Sequence, residues 1–285
     1  MIDLLVGPFR DNSFLAQALV AGVLVAVACA VVGTFVVLRG LAFIGDALAH
    51  GVLPGIAGAL LLGWPGMVGA VVGAVAMIFG VQAVTKRSRL SSDTAIGLLF
   101  VGMLALGVVL VSRSRSFTGD LVGILFGDVL GITTADVWVQ LVATVVVCAV
   151  TVVCARPFLL LSFDPEMADV AGFRASRYHN VMLVLIAVTV VVSFQTVGTL
   201  LVFGMLLAPA GTGALLARRV GSMIAWSAVI GVVSVYVGLL VSYHADIAGG
   251  AAIVLVAVAA FFVVLVAQSV RDRRPGRRVP AEARS

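Results

Sequence analysis

Apolar stretches long enough to cross a bilayer follow one another along nearly the whole sequence, and nothing else constrains the fold as strongly. A crossing helix needs about 20 such residues. Runs of this order cover residues 14–38, 41–62, 67–85, 94–112, 137–155, 179–194, 199–217, 223–243 and 247–268. The chain is 62% hydrophobic and only 11% charged, against about 25% charged in a soluble domain. The expected fold is therefore all-α and integral to the membrane: a polytopic bundle of about 8–9 apolar segments. The runs leave no room for a separate soluble domain. Residues 1–270 read as one transmembrane domain, and residues 271–285 as a basic, disordered cytoplasmic tail.

The net charge of +5 sits in connectors and at the C-terminus, a pattern that reports topology. Aromatic residues are not interleaved with the basic ones, which argues against nucleic acid as a partner. The three cysteines, Cys29, Cys148 and Cys154, fall in apolar runs without a CxxC pair. They read as small core residues. The start MIDLLVGPFRDN lacks the basic opening and small-residue cleavage site of a signal peptide. The first long apolar segment is expected to insert uncleaved.

Arg39-Gly40 makes a tight break between the first two runs, and Gly63-Trp64-Pro65-Gly66 a turn with an interfacial Trp. Gly69 and Gly73, four apart, suit close helix packing. Residues 121–130, LVGILFGDVL, are apolar but too short for a full crossing and read as a re-entrant or interfacial helix. If that segment crosses, the basic loop at Lys86, Arg87 and Arg89 lies outside and the N-terminus inside; if it does not, both flip. The positive-inside rule favours the second arrangement.

Within the second run stands Asp46-Ala47-Leu48-Ala49-His50-Gly51-Val52-Leu53-Pro54-Gly55. Asp46 and His50 are four residues apart, hence one turn apart on one helix face. Each is costly in hydrocarbon unless it meets a cavity, a partner or an ion. Carboxylate oxygen and neutral imidazole nitrogen both bind divalent transition metals. Pro54 and Gly55 are expected to loosen the helix just beyond, and broken helices at mid-membrane point to transport sites. The two side chains could instead pair with each other and only fix packing. His179 and His244 lie at span ends and read as interfacial.

Residues 156–177 form the longest polar interruption. Within it, Phe163 to Phe173 reads as a short punctuated helix. Asp164 caps the free N–H groups, Pro165 takes the first helical position, and Glu166 and Asp169 suit the positive end of the helix. Gly172 suits the left-handed position past its end. Met167, Val170 and Ala171 make a small apolar face. Two turns are marginal alone in water, so docking into a partner would explain the helix. An ordinary capped linker would look the same.

Together these motifs resemble the permease subunit of ABC importers for zinc, manganese or iron. The family's Arg-containing turn and G-D-A-L-[SA]-H-x-x-L-P-G pattern are matched by Arg39 and residues 45–55, and its DPE-x-A-x-x-x-G loop by residues 164–172. Residues 206–219, LLAPAGTGALLARR, and 242–250 also resemble it. Ala248-Gly249-Gly250 departs from it, because the family often has a Pro there. The resemblance implies a homodimeric half-channel in the bacterial plasma membrane. A cytoplasmic ATP-binding subunit would drive it, and an extracellular solute-binding protein would deliver the ion. Asp46 and His50 would contact the transported metal. Asp164, Pro165, Glu166, Met167, Asp169 and Gly172 would form the coupling helix seated in the ATPase. No cofactor is expected to stay bound.

The chain has no GxxxxGK[ST] phosphate loop, so hydrolysis must come from a partner and the chain is not expected to be an enzyme. The absence of GxSxG and HExxH speaks against intramembrane hydrolysis. Two alternatives remain at this stage: an ion-coupled secondary metal transporter without ATPase, and an ABC permease for a metal chelate. A chelate pathway would be wide and apolar and would not need Asp46 or His50.

Overall fold

The computed structural model describes residues 7–10, 12–88, 91–112 and 131–272. The described residues are helical with short connectors and no strand. Eleven helices are numbered here in chain order: α1 Ser13–Leu38, α2 Ala42–Leu61, α3 Gly66–Arg87, α4 Ser92–Ser112, α5 Thr134–Val153, α6 Ala155–Phe163, α7 Pro165–Val170, α8 Ala175–Val197, α9 Thr199–Leu216, α10 Val220–Ala245 and α11 Gly249–Asp272. Eight of them are long and apolar enough to cross a membrane, and α9 is a shorter apolar helix. The chain is a multi-pass membrane protein.

Helix α1 is the centre. It touches α5, α8, α9 and α10, and its buried side includes Ala18, Val25, Cys29, Val32 and Val36. On one flank α2 packs on α3 and α4; on the other α9, α10 and α11 pack on each other. Small residues bring these helices close. In hydrocarbon, dispersion between close backbones replaces the hydrophobic drive to associate. A Cβ at Gly55 would run into the Gly69 carbonyl, and one at Gly73 would stand 2.7 Å from the Gly51 carbonyl. The expected Gly69/Gly73 surface is thus real, and its counterpart is Gly51/Gly55.

Side chains fix which helix ends share a face. Arg39, after α1, reaches His179 in the second turn of α8, and Gln82 near the end of α3 reaches Asn180. The α1–α2 turn and the end of α3 therefore lie on the face that carries α7. Gln17 at the start of α1 bonds Thr134 at the start of α5, on the opposite face. Helix α4 runs alongside α2, with Phe100 at His50 and Gly107 at Pro54. So α4 ends, and α5 begins, on the face opposite α7. Of the two sequence arrangements this is the one without a net crossing between α4 and α5. Residues 121–130 themselves lie outside the described residues. Arg39, Arg87, Arg156, Arg174, Arg218 and Arg219 all fall on the α7 face.

Two sequence readings need correction. Pro54-Gly55 does not break its helix: α2 is continuous from Ala42 to Leu61. Proline removes one N–H, and the glycine contact with α3 holds the helix on both sides of it. Residues 156–177 are not one polar interruption. Residues 155–163 form α6, whose Pro157, Phe158 and Leu161 are buried, and Pro157 sits in the first turn, where a missing N–H costs nothing. Helix α11 runs through Arg271 and Asp272; the rest of the expected tail, residues 273–285, lies outside the described residues.

Candidate functional site

The back of α2 is fixed and its front is open. Leu48, Val52 and Ile56 are buried, and Gly51 and Gly55 press on α3. On the front, Phe43, Asp46, His50 and Leu53 follow at three- and four-residue spacing, so they line one face. Phe43 is exposed. The His50 and Asp46 side chains keep 25% and 29% of their accessible surface. Charged Asp at the centre of a bilayer helix costs about 2.5–3.5 kcal/mol, a cost that a cavity, a partner or an ion at this opening would relieve.

Asp46 Oδ1 and His50 Nε2 stand 3.5 Å apart, long for a hydrogen bond. Typical metal–oxygen and metal–nitrogen lengths are about 2.1 Å, so an ion bound to both would see them at about 110°, near the tetrahedral angle. Phe100 from α4 sets the imidazole by an edge contact, ring centres 5.3 Å apart. His50 Nδ1 is buried and has no hydrogen-bond partner among the described residues. Pro54 has no N–H to give the His50 carbonyl, four residues back. Among the described residues, no three His, Cys, Asp or Glu side chains gather. One chain offers a cation two side chains here, not a closed cage.

The 164–172 segment lies well away on the α7 face. Asp164 Oδ1 accepts from the N–H groups of Glu166 at 2.9 Å and Met167 at 3.2 Å, which is the expected cap. Gly172 has φ of +84°, and the Phe173 N–H closes on the Ala168 carbonyl at 2.9 Å, a helix stop through a left-handed residue. Ala168 is buried against the body while Glu166, Met167 and Val170 face out, Val170 with 85% of its surface exposed. The side chains of Pro165 and Asp169 are not among those described. The apolar face expected from sequence is thus present and uncovered.

His179 and His244 both have local partners. His179 Nδ1 meets Arg39 Nη1 at 3.2 Å. His244 Nδ1 meets the Leu240 carbonyl at 2.9 Å in the last turn of α10. Sequence reasoning missed Phe100 and the Gly51/Gly55 half of the seam. The second was detectable from its four-residue spacing; the first was not.

The ABC 3 transport family model matches residues 11–268. The chain is 39% identical over 254 residues to "Manganese transport system membrane protein MntC" of Listeria monocytogenes, covering 89% of this chain and 90% of that protein. It is 37% identical over 270 residues to "Probable iron transport system membrane protein" of Haemophilus influenzae, covering 94% and 98%. Among solved structures, "PsaBC from Streptococcus pneumoniae in complex with Fab" matches with a TM-score of 0.84 and 32% identity, covering 93% of this chain and 95% of that one. The chain belongs to the ABC 3 transport family.

Proposed function

We propose that the chain is the permease subunit of an ATP-driven ABC importer for a divalent transition-metal ion, and that the ion passes Asp46 and His50. One observation carries the site: a carboxylate and an imidazole, 3.5 Å apart, stand on the open front of an otherwise apolar spanning helix. A lipid-facing position would be costly. Facing a second copy of the chain, the same front makes a passage with two carboxylates and two imidazoles, enough to replace much of an ion's water shell. Homodimerisation follows from that reading. The manganese and iron relatives agree with the donor set, which also suits zinc.

The arginines on the α7 face support a cytoplasmic side for that face by the positive-inside rule. Helix α7, with exposed Met167 and Val170, would seat in the ATP-binding subunit, and an extracellular binding protein would deliver the ion to the opposite face. Residues 1–270 act as one membrane unit in this account. The ion is cargo: two ligands per chain hold it firmly enough to strip water and loosely enough to release it. Asp46→Asn and His50→Ala are expected to abolish uptake of radioactive metal by cells while protein level and membrane insertion persist. Uptake at the wild-type rate in both variants would refute the assignment.

A further inference from the structure

Helix α8 starts a few residues beyond α7, and its second turn presents two consecutive polar side chains to the neighbouring helices. His179 Nδ1 faces Arg39 Nη1 at 3.2 Å. A guanidinium can only donate, so Nδ1 accepts and the ring proton sits on Nε2. Burial lowers the Arg39 pKa, yet the group stays charged at any physiological pH. The next residue, Asn180, accepts from Gln82 Nε2 of α3 at 3.1 Å. Helices α2 and α3 are joined through backbone contact at the glycine seam, so they must shift as a pair. Asn180 holds α3 directly, and His179 holds the α1–α2 turn through Arg39, seven residues before Asp46 on α2.

Between α8 and the pair lies a cavity of about 160 Å³, lined among others by Leu41, Ile44, Thr85, Ile96 and Leu183. Thr85 Oγ1 is buried without a hydrogen-bond partner among the described residues. The space is a half-open cleft between the helices. Here it lies beside the first turn of α2 and leaves room for that turn to move. On the other side, Tyr178 ties the start of α8 to its surroundings. It meets Phe173, just past α7, edge-on at 5.6 Å, and Phe158 of α6 at 6.5 Å. Phe158 in turn meets Phe35 of α1 at 5.5 Å.

We propose that the His179–Arg39 bridge, assisted by Asn180–Gln82, transmits movement of α7 to the α2–α3 pair and so to the metal-contacting side chains. His179 and Arg39 are positioning residues: neither touches the ion. This rests on the function proposed above, in which α7 docks the ATPase and α2 carries the ligands. Aromatic contacts make the start of α8 follow α7, the two polar bonds make α2–α3 follow α8, and the cavity supplies the space.

The test uses the full complex, reconstituted in vesicles with its ATP-binding subunit and binding protein and supplied with manganese. ATP hydrolysis, manganese uptake per ATP, and manganese binding to the permease are measured together. His179→Leu removes the acceptor. It is expected to leave hydrolysis and binding close to wild type and to cut uptake per ATP by about tenfold, within the usual range of inter-site coupling. His179→Asn, whose side-chain oxygen falls near the position of Nδ1, is expected to recover most of that loss. Unchanged uptake per ATP in His179→Leu would overturn the proposal. So would an Asn variant as defective as the Leu variant, which would mean that shape and not the acceptor matters. Asp46→Asn in the same vesicles separates the two levels: if it transports normally, the metal reading fails whatever His179 does.

Discussion

Replacing Gly55 by alanine tests whether the position of α2 is set by backbone contact with α3. The added methyl would collide with the Gly69 carbonyl and lie 2.9 Å from the Gly73 nitrogen, where ordinary contact begins at 3.4 Å. To clear the Gly69 carbonyl the helices must separate by more than about 1 Å, and such overpacking costs about 1–3 kcal/mol. Alanine also favours a helix over glycine by about 1 kcal/mol, which partly hides the clash. Gly58→Ala corrects for this. It lies on the same helix, receives the same propensity gain, and its new methyl meets nothing within 4 Å. Thermal unfolding in one detergent should therefore rank Gly58→Ala at or above wild type and Gly55→Ala below it, the two differing by about 1–3 kcal/mol. Uptake should fall only in the Gly55 variant, because Asp46 and His50 ride on the displaced helix. Equal stability and uptake in the two variants would show that the seam does not hold α2.

Val170→Asp should leave the permease folded, since that side chain is 85% exposed, while co-purification with the ATP-binding subunit falls steeply; retained association would exclude α7 as the docking helix. Glu166→Arg should likewise stop uptake while manganese binding at Asp46 and His50 persists, and loss of binding in that variant would contradict the separation of the two sites. Thr133→Ala removes half of a reciprocal cap at the start of α5, where Asp136 accepts from the Thr133 N–H at 2.9 Å and Thr133 Oγ1 from the Asp136 N–H at 3.3 Å. It should cost about 0.5–2 kcal/mol in thermal stability with uptake intact, and a stability equal to wild type would mean the cap is replaced by water.

What the sequence made legible follows the physics that is local to it. Bilayer-length runs announce their helices because no soluble alternative tolerates them. Asp46 and His50 stand out against an apolar background, and the Asp164 cap and Gly172 stop are read from neighbours within ten residues. What escaped reading depends on distance or context. Arg156 marked a loop by its charge, yet the residues after it fold as α6 because Phe158 and Leu161 find a buried surface. Pro54 suggested a break, but the seam with α3, invisible without the partner helix, keeps α2 whole. Arg39 and His179 are 140 residues apart, and nothing in either neighbourhood names the other.

The account stands or falls on whether a cation sits between Asp46 and His50. Absorption spectroscopy at the manganese edge, on the detergent-purified permease loaded with the ion, reads this directly. The account predicts an oxygen and nitrogen shell containing imidazole scattering, which disappears in His50→Ala and loses an oxygen in Asp46→Asn. A spectrum of fully hydrated manganese, or one identical in wild type and both variants, would contradict it.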